Sequence, residues 1–463
     1  MKRISSIAIV LCLLAYAPLE AQEVPIKLTL ESAIELASKN YPAIHAARAK
    51  AAAAKAGVDL ARTAYLPRTD LIWQENRATR NNVFGLLLPQ SGLPSISGPV
   101  LGTTSYSSAW GSAGGLLVSW EPFDFGLRKA NMDLARALRD GAGAGVDASL
   151  LDVETGAADA FLVLVEAGKT VAAAQADVDR LTVFARSVHT LVDNQLRPGA
   201  DGSRADAELA AARNQLIRAR EAAEISRVNL AEALGSAGIA VVVDADAMPE
   251  PPKNTNSGAF DPEAHPLLQA QAAAVQAAQA RVRGLDRSYL PKFNYQFALY
   301  GRGSGALVDG HIDSTQGLAP EVPNWATGLT ITFPALDIFS IRARKRAEAG
   351  NASVEQARYD QVMQSLKAQE ARAKAASDAA AAIAENTPIQ LGAAQEAHLR
   401  AQARYDAGLG TVVEVADADH LLVQAEIDDA VAHLNVWRAL LATARSHGNI
   451  TPFLEHVRRA GGK

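Results

Sequence analysis

The chain carries its plan twice. Pro42 and the triplet Tyr65, Leu66 and Pro67 return as Pro266 and Tyr289, Leu290 and Pro291, each displaced by 224 residues. The alanine-rich flanks would match through composition alone, so the weight falls on the prolines and the Tyr-Leu-Pro triplet. Further along, Trp120 to Asp124 parallels Phe333 to Asp337, and Ser203 to Gly235 parallels Glu414 to Ser446 at a displacement of 211. Each copy runs in the same order: alanine-rich helix, Tyr-Leu-Pro, alternating segment, loop, alternating segment, very long helix, short tip, returning helix.

These landmarks divide the chain into an export segment (1–21), a first repeat (22–247), a proline-rich linker (248–262), a second repeat (263–448) and a C-terminal tail (449–463). In the first repeat, strands are expected near 68–76 and 112–121 and a helical hairpin over 126–236. In the second, strands are expected near 292–300 and 325–333 and a hairpin over 340–447.

The export segment is read from Lys2 and Arg3 ahead of the apolar run Ile4 to Ala17, with cleavage expected after Ala21. That run is about 14 residues, short of the roughly 20 that a spanning helix needs. Cys12, the one cysteine, lies inside it, so the mature chain can form neither a disulfide nor a thiolate metal site. Removing Lys2, Arg3 and Glu20 from the 45 basic and 50 acidic residues leaves the chain one unit more negative than its whole-sequence −5, which argues against a nucleic-acid partner.

No later stretch holds 18 uninterrupted apolar residues, so a membrane crossing here would need a β-barrel rather than helices. The alternating segments suit that role. Phe293, Tyr295, Phe297 and Leu299 alternate with Lys292, Asn294, Gln296 and Ala298. In the partner segment Trp325, Thr327, Leu329, Ile331 and Phe333 share one face. A period of two is the mark of a strand with one apolar side. The first repeat carries weaker versions, Thr69, Leu71 and Trp73, then Leu116, Val118 and Trp120. Taken alone, such segments fit a soluble hairpin packed on helices as well as a membrane strand. Closure separates the two: four strands form an open sheet whose edges need partners in lipid, whereas three copies would supply twelve.

From Gly126 to Leu196 the chain holds no proline, a stretch of roughly 70 residues that would span on the order of 100 Å as a helix. The returning helix shows a seven-residue seam, Leu209, Leu216, Ala223 and Leu230 beside Ala205, Ala212, Ala219, Ser226 and Ala233. Ile427, Leu434 and Leu441 beside Val423, Ala430, Trp437 and Ala444 repeat it. Gly141, Gly143 and Gly145 in one long helix and Pro388 in its counterpart predict a kink or a break. The glycines are not followed by the Lys-Ser or Lys-Thr of a phosphate loop.

The most specific stretch is Arg404 to Asp417, and through it the chain resembles the TolC-like outer-membrane efflux protein family over nearly its whole mature length. The resemblance implies a mainly α chain with a transmembrane β-barrel: duplicated helical hairpins forming a periplasmic α-barrel, with four strands per chain and twelve in a homotrimer. It implies an exit duct in the outer membrane, in contact with its lipid and served by an inner-membrane pump through a periplasmic adaptor (membrane fusion) protein. Gly408, Leu409 and Thr411 match the tip that meets the adaptor, with Leu196 at the first tip. Glu414 and Asp417 match acids that ring the narrow end of the tunnel, and Tyr405 matches a residue that helps hold it closed. Gly410 departs, standing where the family's type member has an arginine of the closing network. The first tip, Gln195 to Asp206, departs further, with about two extra residues.

Physics offers Glu414 a second role, because Thr411 and Glu414 have the spacing of a helix capping box, as do Ser203 and Asp206. Gate and cap both remain open at this point. Asp417, one turn further on, has no such local role. The nine histidines are scattered, and no nucleophile elbow or isolated carboxylate pair appears, so neither an enzyme nor a cofactor or metal site is expected. The rival to a channel is a soluble periplasmic coiled-coil adaptor or scaffold protein, which would not need two alternating hairpins at matching points of a duplicated chain.

Overall fold

The computed structural model describes residues 26–79, 106–244, 248–252, 258–307 and 311–461. The export segment and most of the loop from Asn81 to Ser108 lie outside the described residues. In chain order the elements are β1 (Ile26–Leu28), α1 (Leu30–Asn40), α2 (Pro42–Thr63), β2 (Arg68–Thr79), β3 (Ser108–Trp120), α3 (Leu127–Asp193), α4 (Gly199–Ala233), β4 (Val241–Val243), α5 (Pro266–Ser288), β5 (Lys292–Ser304), β6 (Val322–Thr332), α6 (Ile338–Asp406), α7 (Val412–Ser446) and α8 (Thr451–Gly461). The stretch read as a tail therefore contains a helix. The chain forms two compact units, and each draws on both repeats: Met1–Ala46, Asp147–His265 and Leu366–Lys463 in one, Ala47–Val146 and Pro266–Ser365 in the other.

The sheet of the second unit is antiparallel in the order β2-β3-β5-β6. The two repeats meet at β3 and β5, whose register aligns Leu116 with Leu299. Leu71 pairs with Leu116 and Leu299 with Trp325, so one apolar row crosses all four strands. That row lies open: Leu71 is 87% and Trp325 70% exposed. The opposite face is closed, with Ala113, Leu117, Ala298 and Tyr300 buried together. At Gly115 a Cβ would lie 2.3 Å from the Leu299 carbonyl oxygen, so only glycine permits this approach of β3 to β5. Among the described residues, β2 and β6 each have a neighbour on one side only.

The glycine run does not break α3, which is continuous over 67 residues. A Cβ at Gly141 would sit 3.2 Å from the Ala273 Cβ of α5, so this glycine admits a close helix approach. Packing outweighs its low propensity. Pro388 likewise lies inside the continuous 69-residue α6. It removes one ladder hydrogen bond, while its neighbour Thr387 donates to Asp429 of α7 at 2.9 Å.

In the first unit, β1 pairs in parallel with β4, and Thr29 opens α1 with a reciprocal capping box to Ser32. The core gathers Phe161, Leu162, Leu230, Leu234 and Trp437 with Phe453 of α8. Trp437 is fully buried; its indole N–H donates to the Pro249 carbonyl at 3.0 Å and its ring meets Phe453 edge-on at 6.1 Å. The linker thus supplies an acceptor to the core of the second repeat's returning helix. In α4 the seam residues Ala205, Ala212, Ala219 and Ser226 are all buried, as their seven-residue spacing requires.

Candidate functional site at the hairpin tips

Both tips are made by the same backbone device. In the second, Gly408 takes a left-handed φ of 76°; its N–H donates to the Tyr405 carbonyl at 3.0 Å and that of Leu409 to Arg404 at 2.8 Å. This pair of bonds is a Schellman motif, which satisfies the last carbonyls of α6. In the first tip Gln195 holds the left-handed position at φ 60°, with Gln195 N–H donating to Val192 and Leu196 N–H to Leu191. Each motif presents a leucine to solvent: Leu196 is 69% and Leu409 72% exposed.

Thr411 caps α7, its hydroxyl accepting from the Glu414 N–H at 3.3 Å. The reciprocal half of the expected box is replaced. The Glu414 carboxylate lies 3.6 Å from Arg404, whose guanidinium also donates to the Leu409 carbonyl at 3.2 Å. The second capping box is not formed at all. α4 starts at Gly199 behind Pro198, one turn before Ser203, and Asp206 instead bonds His189 of α3 at 2.9 Å. That bond raises the His189 pKa.

Tyr405 does not line an opening of this chain. It is 1% exposed, edge-on to Phe184 at 5.3 Å, and covered by Arg197, whose guanidinium stacks at 4.6 Å and donates to the Tyr405 carbonyl at 3.0 Å. Burial pushes its phenol pKa upward. Arg197 comes from the lengthened first tip, so one departure from the family pattern places a cation on the second. At Gly410 a Cβ would fall 3.1 Å from the Tyr405 backbone nitrogen, tighter than ordinary packing. A side chain there would need this turn to give by a few tenths of an ångström.

Asp417 is exposed on α7, and Asp419, two residues on, is buried. Asp419 accepts from Arg180 of α3 at 3.1 Å, and Arg180 also reaches Glu426 at 3.2 Å. His398 of α6 lies 3.6 Å from the same Asp419 oxygen. Asp177, one turn from Arg180, is buried in the same cluster. Its burial, a hydrogen bond with Asp419 and the charges of Asp419 and Glu426 push its pKa up to about 7, against the pull of Arg180. This cluster is not among the site residues expected from the sequence, although Val412, Asp419 and Glu426 are spaced by seven and so fall on one line of α7, beside Ala416 and Val423 of the seam. Among the described residues no group of side chains is arranged to hold a metal ion.

A model of the outer membrane efflux protein family matches residues 33–236 and 263–449, which together follow the two repeats. The chain is similar to protein CyaE of Bordetella pertussis, with 26% identity over 454 residues that cover 92% of this chain and 85% of CyaE. Among solved structures, the outer membrane protein VceC of Vibrio cholerae matches with a TM-score of 0.74 at 17% identity, over 91% of this chain and 96% of VceC. The CmeC outer membrane channel of Campylobacter jejuni matches with a TM-score of 0.73 at 16% identity, over 90% of this chain and 85% of CmeC. At those identities the structures speak for the fold, which is that of TolC-like channels. The family match carries the rest: the chain belongs to the outer membrane efflux protein family, acting in the outer membrane as an exit duct with the family and fold of channels.

Proposed function

We propose that three copies of this chain close a twelve-stranded barrel and continue it as a helical tunnel, forming the passive outer-membrane end of a tripartite export assembly. The observation that carries this is the open four-stranded sheet, whose apolar row faces outward while β2 and β6 keep unpaired edges. In lipid those edges need strands, and copies of the same chain supply them without an open end. An adaptor protein docks on the tips through Leu196, Leu409 and the turn of Gly408 and Thr411, and an inner-membrane pump delivers cargo through that adaptor. The exposed acids Asp417 and Glu414 ring the narrow end in threefold repetition, and the field of those carboxylates favours cations. Tyr405, buried under Arg197, supports the constriction from behind instead of lining it.

Fractionation tests the architecture: the protein should extract with the outer membrane only in detergent and run as a heat-sensitive trimer, whereas release with the soluble periplasm would refute the channel. Single-channel recording tests the ring. Asp417→Asn with Glu414→Gln should reduce cation selectivity, and unchanged selectivity would remove these residues from the constriction. Crosslinking from Leu409 should capture the adaptor, whose identity points to the pump.

A further inference from the structure

The two repeats turn from strand to helix at matching corners that differ in their basic residues: the first has Arg128 and an exposed Lys129, the second three arginines and a lysine. After β3, Asp124 accepts from the backbone N–H groups of Gly126 and Arg128. The Arg128 side chain folds inward, bonding Asp124 at 3.0 Å, donating to the Ala64 carbonyl at 3.2 Å and stacking on Tyr65 at 5.0 Å. After β6 the position of Arg128 is taken by Ile341, and Arg342, Arg344, Lys345 and Arg346 follow, all exposed. Lys345 pairs with Asp286 of α5 at 2.5 Å.

Phe339, Arg342 and Arg346 recur at three and four residues, so they share one face of α6, whereas Arg344 points away from it. Phe339 is 71% exposed, and Leu336 and Phe333, which lead from β6 into the helix, are also open. Leu329, Ile331 and Phe333 carry the outward apolar face of β6 to the strand's end, so the basic face begins where that apolar face stops. Apolar side chains followed by arginines form the pattern that sits at the boundary between hydrocarbon and headgroups. The chain as a whole is acidic, so its general field does not account for this local excess of positive charge.

We propose that Arg342 and Arg346, with Phe339 and Leu336 inserted beside them, form a docking surface for anionic phospholipid headgroups at the helical end of the barrel. The surface rests on the reading of the sheet as part of a lipid-embedded barrel. It fixes the depth of each protomer in the membrane through its second repeat, because the first repeat has Lys129 and Asp133 at the positions of Arg342 and Arg346, and its one corner arginine, Arg128, is folded inward.

The test uses the full-length protein in nanodiscs of equal parts phosphatidylcholine and phosphatidylglycerol, with the lipids retained by the released protein counted by native mass spectrometry. Phosphatidylglycerol should be enriched. Arg342→Gln with Arg346→Gln should lower that enrichment by about fivefold per charge at low salt, and high salt should erase it in the parent. Arg342→Lys with Arg346→Lys should retain it. Arg344→Gln, on the other side of the helix, should leave most of it. Lipid retention that is unselective, or equally reduced by Arg344→Gln, in a protein that still inserts and conducts would overturn this surface alone. Failure of the parent protein to enter the membrane fraction would overturn the barrel reading instead.

Discussion

At the first hairpin tip a glutamine occupies the left-handed turn position; at the second a glycine does, and the same two backbone hydrogen bonds form in both. The difference shows that the Schellman geometry belongs to the duplicated plan and that the side chain at its pivot is free to vary at a cost. The first tip accepts that cost beside a longer turn that sends Arg197 onto Tyr405. The second keeps its glycine and its threonine cap, and presents its acids to solvent. The repeats are thus alike in backbone and unlike in what they bury, and the same contrast runs along both hairpins.

The largest expected asymmetry lies on the returning helices, where the displacement of 211 residues aligns Ser226 with Trp437. Both are buried. Trp437→Ala should cost about 3–5 kcal/mol through the cavity it leaves, whereas Ser226→Ala, which loses only a bond to its own helix at Ala222, should change stability by less than about 1 kcal/mol. Denaturant unfolding of the two variants would break the comparison if they were equal.

A smaller effect is expected at Asp177, whose counterpart 18 residues before the second turn position is Gln390. The Asp177 pKa is raised from 3.8 to about 7, so the folded chain binds its proton more tightly than the unfolded chain does. The stability linked to this group is present below pH 3.8 and is lost as pH climbs through about 7. Asp177→Asn should therefore stabilise the protein at pH 8 by on the order of 2 kcal/mol, less than the full shift implies because water reaches Arg180 and Glu426. At pH 4 the gain should largely vanish. Thermal unfolding across that range gives the answer, and an equal gain at both ends would exclude the proton as its cause.

At the pivots, Gln195→Gly should stabilise and Gly408→Ala destabilise by about 1 kcal/mol each, since only glycine adopts a positive φ without penalty. The smallest difference concerns the caps. Thr411→Ala should cost about 1 kcal/mol, while Ser203→Ala should lie within about 0.5 kcal/mol of zero, because Ser203 stands inside α4 rather than at its start. A measurable loss at Ser203 would mean that the first tip re-forms one turn later in solution.

Several of these features were open to reading from residues alone. The Tyr-Leu-Pro landmarks sit just ahead of β2 and β5, and the alternation of Phe293 to Leu299 with Trp325 to Phe333 identified the face the sheet leaves exposed. The seven-residue alanine seam of α4 is the buried seam. Other features were hidden for definite reasons. Gly141 and Pro388 are poor helix residues by propensity, and only the neighbouring helices reveal why α3 and α6 run through them. The capping spacing at Ser203 was real but idle, because Pro198 and Gly199 had already started the helix. Tyr405 stood next to the tip in sequence and turned inward, a direction set by Phe184 and Arg197.

The order of residues is enough to show the duplicated plan, the family, the periods of strands and helices, and so which side chains share a face. It could do so because periodicity is a property of neighbours along the chain. Which face is covered, and by what, comes from the packed chain: β3 pairs with β5 across the two repeats, and Asp419 rather than Asp417 is enclosed, bonded to an arginine 239 residues away. Burial depends on whatever packs opposite, and a carboxylate beside the seam reveals its charge partner only when a distant helix brings that partner to it.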